Sequence, residues 1–148
     1  SSVEFFTMVK EHLNENGVMV VNMNMRGNNE GNINQYLSDT IASVFDHIVT
    51  VDVDGSTNRE LYASSNADMV KTLENNANET GHSDLRDMML HVADTSSVYE
   101  AGDYIMTDDK APVELLGMQV IDQLIQGEVA YYKDIFEKDG INGLLESL

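Results

Sequence analysis

Asn16-Gly17-Val18-Met19-Val20-Val21-Asn22 (NGVMVVN) is the stretch that decides the fold of this chain of 148 residues. Val18 to Val21 is a short apolar run of mostly β-branched residues between turn signals, which predicts a strand buried on both faces. The residues before it predict a helix, because Phe6, Val9 and Leu13 recur at helical spacing. Helix, turn and buried strand form an αβ unit, and such units build largely parallel sheets.

The first helix has predicted limits on both sides. Ser1 and Glu4 have the spacing of a capping box, in which a serine and a glutamate three residues later satisfy free backbone donors. Gly17 suits the left-handed position that follows a last helical turn.

Two further strands complete the predicted sheet. Ile48 to Val53 and Glu60 to Ser64 are joined by the turn Asp54-Gly55-Ser56, which is too short for a parallel crossover. We therefore expect an antiparallel pair at a sheet edge. Three strands are fewer than a usual sheet has, so this sheet resembles one end of a larger one. The uncovered edge at Val18 to Val21 predicts a homodimer or an exchange of elements there.

Helical patterns dominate after Ser65. The fold class is therefore α/β, with a parallel strand and an antiparallel edge pair followed by a helical C-terminal third. Residues 1–65 form the sheet part and residues 66–148 a helical extension packed on it as one compact unit. The predicted helices are Asn66 to Asn76, Ser83 to Ala93, one from Val113, and Val129 to Leu148 with breaks near Gly140 and Gly143.

The charge balance excludes several classes of partner. The chain has 8 Lys plus Arg against 26 Asp plus Glu, a formal net charge of −18, which repels nucleic acids and anionic lipid surfaces. This charge either serves solubility alone or attracts cations such as polyamines. No apolar run approaches the ~20 residues that span a bilayer, and Ser1 to Lys10 does not have the pattern of a signal peptide. We expect a soluble, cytoplasmic segment.

Motifs for self-contained catalysis are missing from the sequence. With no Cys there is no disulfide, thiolate metal site or Cys nucleophile. Gly27 to Gly31 lacks the spacing of a phosphate-binding loop, and the four His residues lack the spacing of a metal site. We therefore predict no catalytic, cofactor-binding or metal-binding residue in this chain.

Two places are candidates for substrate binding. Asn22 and Asn24 follow the buried strand, and ligands of open α/β sheets bind outside the carboxyl ends of strands. Asp108 and Asp109 are adjacent carboxylates that could bind an ammonium group. Each place has a structural alternative. The asparagines could cap the loop, and Thr107 or Asp109 could cap the helix that follows Pro112.

Several short words, in their order and spacing, resemble the end of the catalytic domain of spermidine synthases. The similarity is greatest to bacterial spermidine synthase-like proteins that are often fused to membrane segments. It covers residues 3–63 and 104–124. The words that carry it are Glu4-Phe5-Phe6, Leu13, Asn16 to Asn22, Ser43-Val44-Phe45, Thr57 to Ala63 and Thr107 to Glu114.

The resemblance implies a methyltransferase-like, Rossmann-like sheet whose last three strands lie here. It implies aminopropyl transfer from decarboxylated S-adenosylmethionine to putrescine, a small-molecule amine. The family's cofactor loop and catalytic aspartate precede the first residue of this chain, so we expect the chain to be inactive alone. Asn22 occupies the place of a family Gln near the polyamine pocket, whereas Val53 to Ser56 lacks the family's Tyr.

Two alternatives to this interpretation stay open. The chain is a non-catalytic acidic binding domain, or it is a fragment of a related S-adenosylmethionine-dependent methyltransferase. The helical region from Asn66 onward, which is longer than the family needs, favours the first of these.

Overall fold

The computed structural model describes residues 1–24, 30–110 and 113–146. It divides into two units, Ser1–Ala111 and Pro112–Leu148. The first unit combines helices with a four-stranded sheet, and the second consists of one long helix. The elements are α1 (Val3–His12), β1 (Val18–Met23), α2 (Ile33–Ala42), β2 (His47–Asp52), β3 (Arg59–Ser64), α3 (Met69–Glu79), α4 (Ser83–Thr95), β4 (Ser97–Val98) and α5 (Val113–Glu146).

The strand order is β1-β3-β2-β4, and every ladder among the described strands is antiparallel. The predicted antiparallel pairing of β2 and β3 is confirmed. Their short link turns at Gly55, where φ is 68°, and Val53 N–H donates to the Asn58 carbonyl at 3.1 Å. The pair does not form the very end of the sheet, because the two-residue strand β4 pairs with β2, and β3 lies between β1 and β2. These two strands therefore run in the same direction without pairing with each other.

Strand β1 forms one edge of the sheet, as predicted, but it is not buried on both faces. Its side chains alternate, and Val18 and Val20 remain 41% and 53% exposed. Met19, Val21 and Met23 point to the opposite face and pack into the main core. A continuous apolar run therefore forms a half-buried strand here.

The main core lies between one sheet face and the pair α1 and α2. Leu61 on β3 and Ile41 on α2 are fully buried at its centre. Helices α3 and α4 pack against each other and flank the other sheet face. The core cluster consists of Phe6, Met23, Ile41, Phe45, Ile48, Leu61 and Ala63.

Both predicted limits of α1 need correction. The cap is Ser2, whose hydroxyl oxygen accepts from Phe5 N–H at 3.3 Å, so Glu4 is too early to complete a capping box with it. Gly17 does not have a positive φ. It lies in a tight turn where its N–H donates to the Asn14 carbonyl at 2.8 Å, and an added Cβ would lie 3.0 Å from Leu13 Cβ.

The helices after the sheet agree with the predicted pattern in number and place up to residue 95. The predicted breaks near Gly140 and Gly143 were wrong, because α5 is continuous over 34 residues. Part of the polar loop after β1, residues 25–29, and the Ala111-Pro112 step before α5 lie outside the described residues. The described helices include none that is both long and apolar enough to cross a membrane.

Candidate functional site

The carboxyl end of β1 and the beginnings of α1 and α2 lie at the same end of the sheet. We call this end the carboxyl edge, as distinct from the lateral edge that β1 forms. A tight turn joins α1 to β1, so the two elements run in opposite directions. The first residues of α1 therefore lie beside the last residues of β1. Helix α2 begins at the same edge because it follows β1, and its Asn34 side chain donates to the Asn24 carbonyl at 3.2 Å. This edge is the place where α/β proteins bind ligands.

The two candidate asparagines lie at this edge but differ in their surroundings. Asn22 is an exposed residue of β1 that pairs with Glu60 of β3, on the same face as Val18 and Val20. Asn24 lies just beyond the strand, where its backbone carbonyl binds α2. The side chain of Asn22 is therefore accessible to a ligand, and the backbone of Asn24 helps to fix the loop.

Asp108 and Asp109 occupy a tight turn that binds the beginning of α1. The turn closes with Lys110 N–H donating to the Thr107 carbonyl at 2.9 Å. Asp108 accepts a short hydrogen bond from the Ser2 hydroxyl, and its N–H donates to Glu4 Oε2 at 3.1 Å. Asp109 is exposed, with no hydrogen bond or ion pair to residues 1–24 or 30–110. The structure therefore gives Asp108 a structural role, whereas the Asp109 carboxylate is exposed.

No hydrogen bond between described residues joins either asparagine to either aspartate. Asn22 lies on the sheet face opposite to the one that carries α1, whereas the aspartate turn binds α1 itself. A ligand that contacts both groups therefore has to reach across the sheet edge.

A segment without regular structure, residues 99–106, connects β4 to this turn; we call it the return segment. It leaves the sheet where Tyr99 N–H donates to the Ile48 carbonyl at 3.0 Å, and it then crosses α2. Asp39 of α2 is buried and accepts hydrogen bonds from it. Sequence reasoning missed Asp39, which stands between the polar residues Ser38 and Thr40 and gives no local signal of its distant contacts.

Two tyrosines of the return segment have raised pKa values. Burial raises the pKa of Tyr99, and its hydrogen bond to the Asp39 carboxylate raises it further. The hydrogen bond from Tyr104 to the Glu30 carboxylate raises the pKa of Tyr104. The Tyr104 ring also packs on Tyr36 of α2 with 4.9 Å between ring centroids. Both hydroxyls therefore stay protonated at neutral pH and act as donors to carboxylates.

The other sheet face has a pocket of about 370 Å³ between the strands and the α3–α4 pair. Its lining residues have amide and hydroxyl groups but no charged side chain. The lining residues are Asn16, Val18, Val20, Val49, Tyr62, Met69, Val70, Thr72, Leu73, Asn76, Val92, Ala93 and Ser96. Across the described parts of the chain, no group of three or more His, Cys, Asp or Glu could hold a metal ion.

The whole chain is 47% identical, over 165 aligned positions, to one protein described as a polyamine aminopropyl transferase. The relative is the "Probable polyamine aminopropyl transferase" of Bifidobacterium longum (strain NCC 2705), and the chain spans 37% of its length. No family model and no solved structure matches the chain. The resemblance to spermidine synthase-like proteins is thus confirmed, whereas fusion to membrane segments stays a prediction.

Proposed function

We propose that this chain is the C-terminal part of the catalytic domain of a polyamine aminopropyl transferase. The observation that carries the proposal is the identity of 47% to such a protein along the whole chain. The intact protein would transfer an aminopropyl group from decarboxylated S-adenosylmethionine to a small amine such as putrescine. We place this reaction in the cytoplasm.

The sheet topology supports this proposal. A methyltransferase-like sheet ends in an antiparallel pair, and here β3 runs antiparallel between two strands of one direction. We infer that β1, β2 and β3 are the last three strands of such a sheet. The free edge of β1 would then pair with a strand that is not part of this chain, and residues 66–148 would form the helical extension.

Within the intact protein, we assign this chain to the acceptor side of the site. Aminopropyl transfer needs a neutral amine nucleophile and anionic groups that hold the remaining ammonium group. Asp109 supplies an exposed carboxylate, and Asn22 and Asn24 supply amide groups at the same sheet edge. Asp108 contributes by fixing the turn. We assign no residue of this chain to the sulfonium cofactor.

One observation favours a different acceptor or a related methyltransferase. The turn from Val53 to Ser56 contains no Tyr, whereas the family has one near the substrate amine. In the structure this turn closes through Ser56 N–H, which donates to the Val53 carbonyl at 3.2 Å. A non-catalytic acidic binding domain remains the third candidate.

The test is a product assay on the full-length protein with each sulfonium compound and a set of amines. Formation of methylthioadenosine together with an aminopropylated amine supports the proposal. Formation of S-adenosylhomocysteine indicates a methyltransferase. If neither product forms, the binding-domain candidate is supported. Calorimetric titration compares this chain with the full-length protein. Tight binding of either sulfonium compound to this chain alone would refute the assignment of the cofactor site to another part of the protein.

The acceptor site is tested by the matched pair Asp109→Asn and Asp108→Asn in the full-length protein. We expect Asp109→Asn to raise the KM for the amine with little change in thermal stability, because its carboxylate is exposed and makes no hydrogen bond or ion pair to residues 1–24 or 30–110. Asp108→Asn should also lower the thermal stability, because the substitution weakens the hydrogen bond from the Ser2 hydroxyl. Equal KM values for wild type and Asp109→Asn would remove Asp109 from the site.

A further inference from the structure

We propose that Asp39 and Thr40 are positioning residues of the acceptor side. They hold the return segment on α2 and thereby place the turn that carries Asp109. This inference rests on the proposed function for its kinetic part, whereas its structural part concerns this chain alone.

Asp39 holds the return segment through three hydrogen bonds. Its Oδ1 accepts from the Tyr99 hydroxyl at 2.7 Å and from Gly102 N–H at 2.9 Å. Its Oδ2 accepts from Tyr104 N–H at 3.1 Å. The residue is only 1% exposed, so these bonds form where water does not compete. A buried carboxylate needs such donors, because an uncompensated buried charge is strongly unfavourable.

The approach of the segment to Asp39 is close enough to require glycine. A Cβ built on Gly102 would lie 2.6 Å from Asp39 Oδ2. Position 102 therefore needs a backbone N–H that donates to Asp39, and it has no room for a side chain. Gly102 and Asp39 therefore fit each other closely, although they are 63 positions apart in the chain.

Thr40 continues this arrangement towards the turn. Its hydroxyl accepts from Met106 N–H at 2.9 Å and donates to the Tyr36 carbonyl at 2.6 Å. The Met106 carbonyl in turn accepts from Val3 N–H at 2.9 Å. Thr40 and Met106 are both fully buried. A continuous series of contacts thus joins α2 to the beginning of α1 through the return segment.

The turn follows directly after Met106, so its position depends on this series. Asp108 then binds Ser2 and Glu4 on α1. Loosening the return segment should therefore displace the Asp109 carboxylate while the sheet and the main core stay in place. The expected kinetic effect is weaker binding of the amine, with less effect on the transfer step.

The experiment uses the matched pair Thr40→Val and Thr40→Ser, with Asp39→Asn as a second, independent variant. Valine has the shape of threonine but removes the acceptor for Met106 N–H, whereas serine retains it. Asparagine retains the shape of Asp39 but turns one acceptor into a donor. Asp87→Asn on α4 is the control, because Asp87 is exposed with a weak 3.8 Å ion pair to Arg86.

Two readouts are measured. In the full-length protein, amide hydrogen exchange of residues 99–110 should accelerate roughly tenfold in Thr40→Val, the factor given by one lost hydrogen bond of ordinary strength. Exchange in β3 should remain that of the wild type. In the full-length protein, the KM for the amine should rise by a similar factor, with kcat changed less. Thr40→Ser and Asp87→Asn should behave as the wild type does.

Each failure has its own meaning. Unchanged exchange of residues 99–110 in both Thr40→Val and Asp39→Asn would overturn the structural part. Faster exchange with an unchanged KM for the amine would overturn the positioning role. A wild-type protein that forms no aminopropylated product would refute the proposed function, and the exchange measurement would still decide whether Asp39 and Thr40 hold the segment.

Discussion

Leu61→Ala tests the central position of β3, because Leu61 is fully buried at the middle of this strand. The substitution removes three carbons, which cost about 2.4 kcal/mol at about 0.8 kcal/mol for each CH₂. The cavity adds to this cost, and Leu→Ala substitutions in cores span about 2–5 kcal/mol. We expect the free energy of unfolding to fall by about 3 kcal/mol.

Urea unfolding, followed by circular dichroism, measures this loss. With a slope of about 1.5 kcal/mol per molar urea, a loss of about 3 kcal/mol lowers the midpoint by about 2 M. Val20→Ala is the control on the edge strand, because Val20 is 53% exposed. The half-buried Val20 side chain loses two carbons, so the free energy of unfolding should fall by about 0.8 kcal/mol. This loss lowers the urea midpoint by about 0.5 M. Equal shifts for the two variants would refute the strand order β1-β3-β2.

Two other predictions concern Tyr99 and the edge of β1. Burial raises the pKa of Tyr99, so folding favours its neutral form, and the free energy of unfolding should fall as pH rises above the ordinary value of about 10. Tyr99→Phe should lessen this fall in unfolding curves between about pH 9 and 11, and identical pH slopes would contradict the assignment. The free edge of β1 should support a dimer of this chain, which Val20→Lys should weaken. Sedimentation that shows only monomer at high wild-type concentration would count against this pairing.

Local pattern predicted the order of the elements because each signal lies within a few residues. Apolar spacing located α1 and α2, and the turn at Gly55 established that β2 and β3 pair antiparallel. The same signals could not show that β3 also pairs with β1. That pairing joins residues about 40 positions apart, such as Val21 and Leu61, and no local spacing records it.

The candidate site divides in the same way. Position after a strand made Asn22 and Asn24 candidates, adjacency made Asp108 and Asp109 candidates, and their roles in binding stay predictions. The sequence alone offered the following helix as the structural partner of the aspartate turn. The structure provides α1 instead, which precedes the turn by about a hundred residues. Asp39 was missed because its donors arrive about 60 residues later, from the return segment.

These distant contacts separate the roles of two adjacent carboxylates that sequence treats alike. Asp108 is engaged with the beginning of α1, because its carboxylate accepts a hydrogen bond from the Ser2 hydroxyl. Asp109 has no such contact within the described residues, and the chain carries 26 acidic residues that would repel one another without a ligand or counterions. A cationic amine at Asp109 would relieve that repulsion with little structural change, because the contacts of Met106 and Asp108 already hold the turn. Under the proposed function, we expect Asp109 rather than Asp108 to control the affinity for the amine, because the Asp108 carboxylate is already engaged with Ser2.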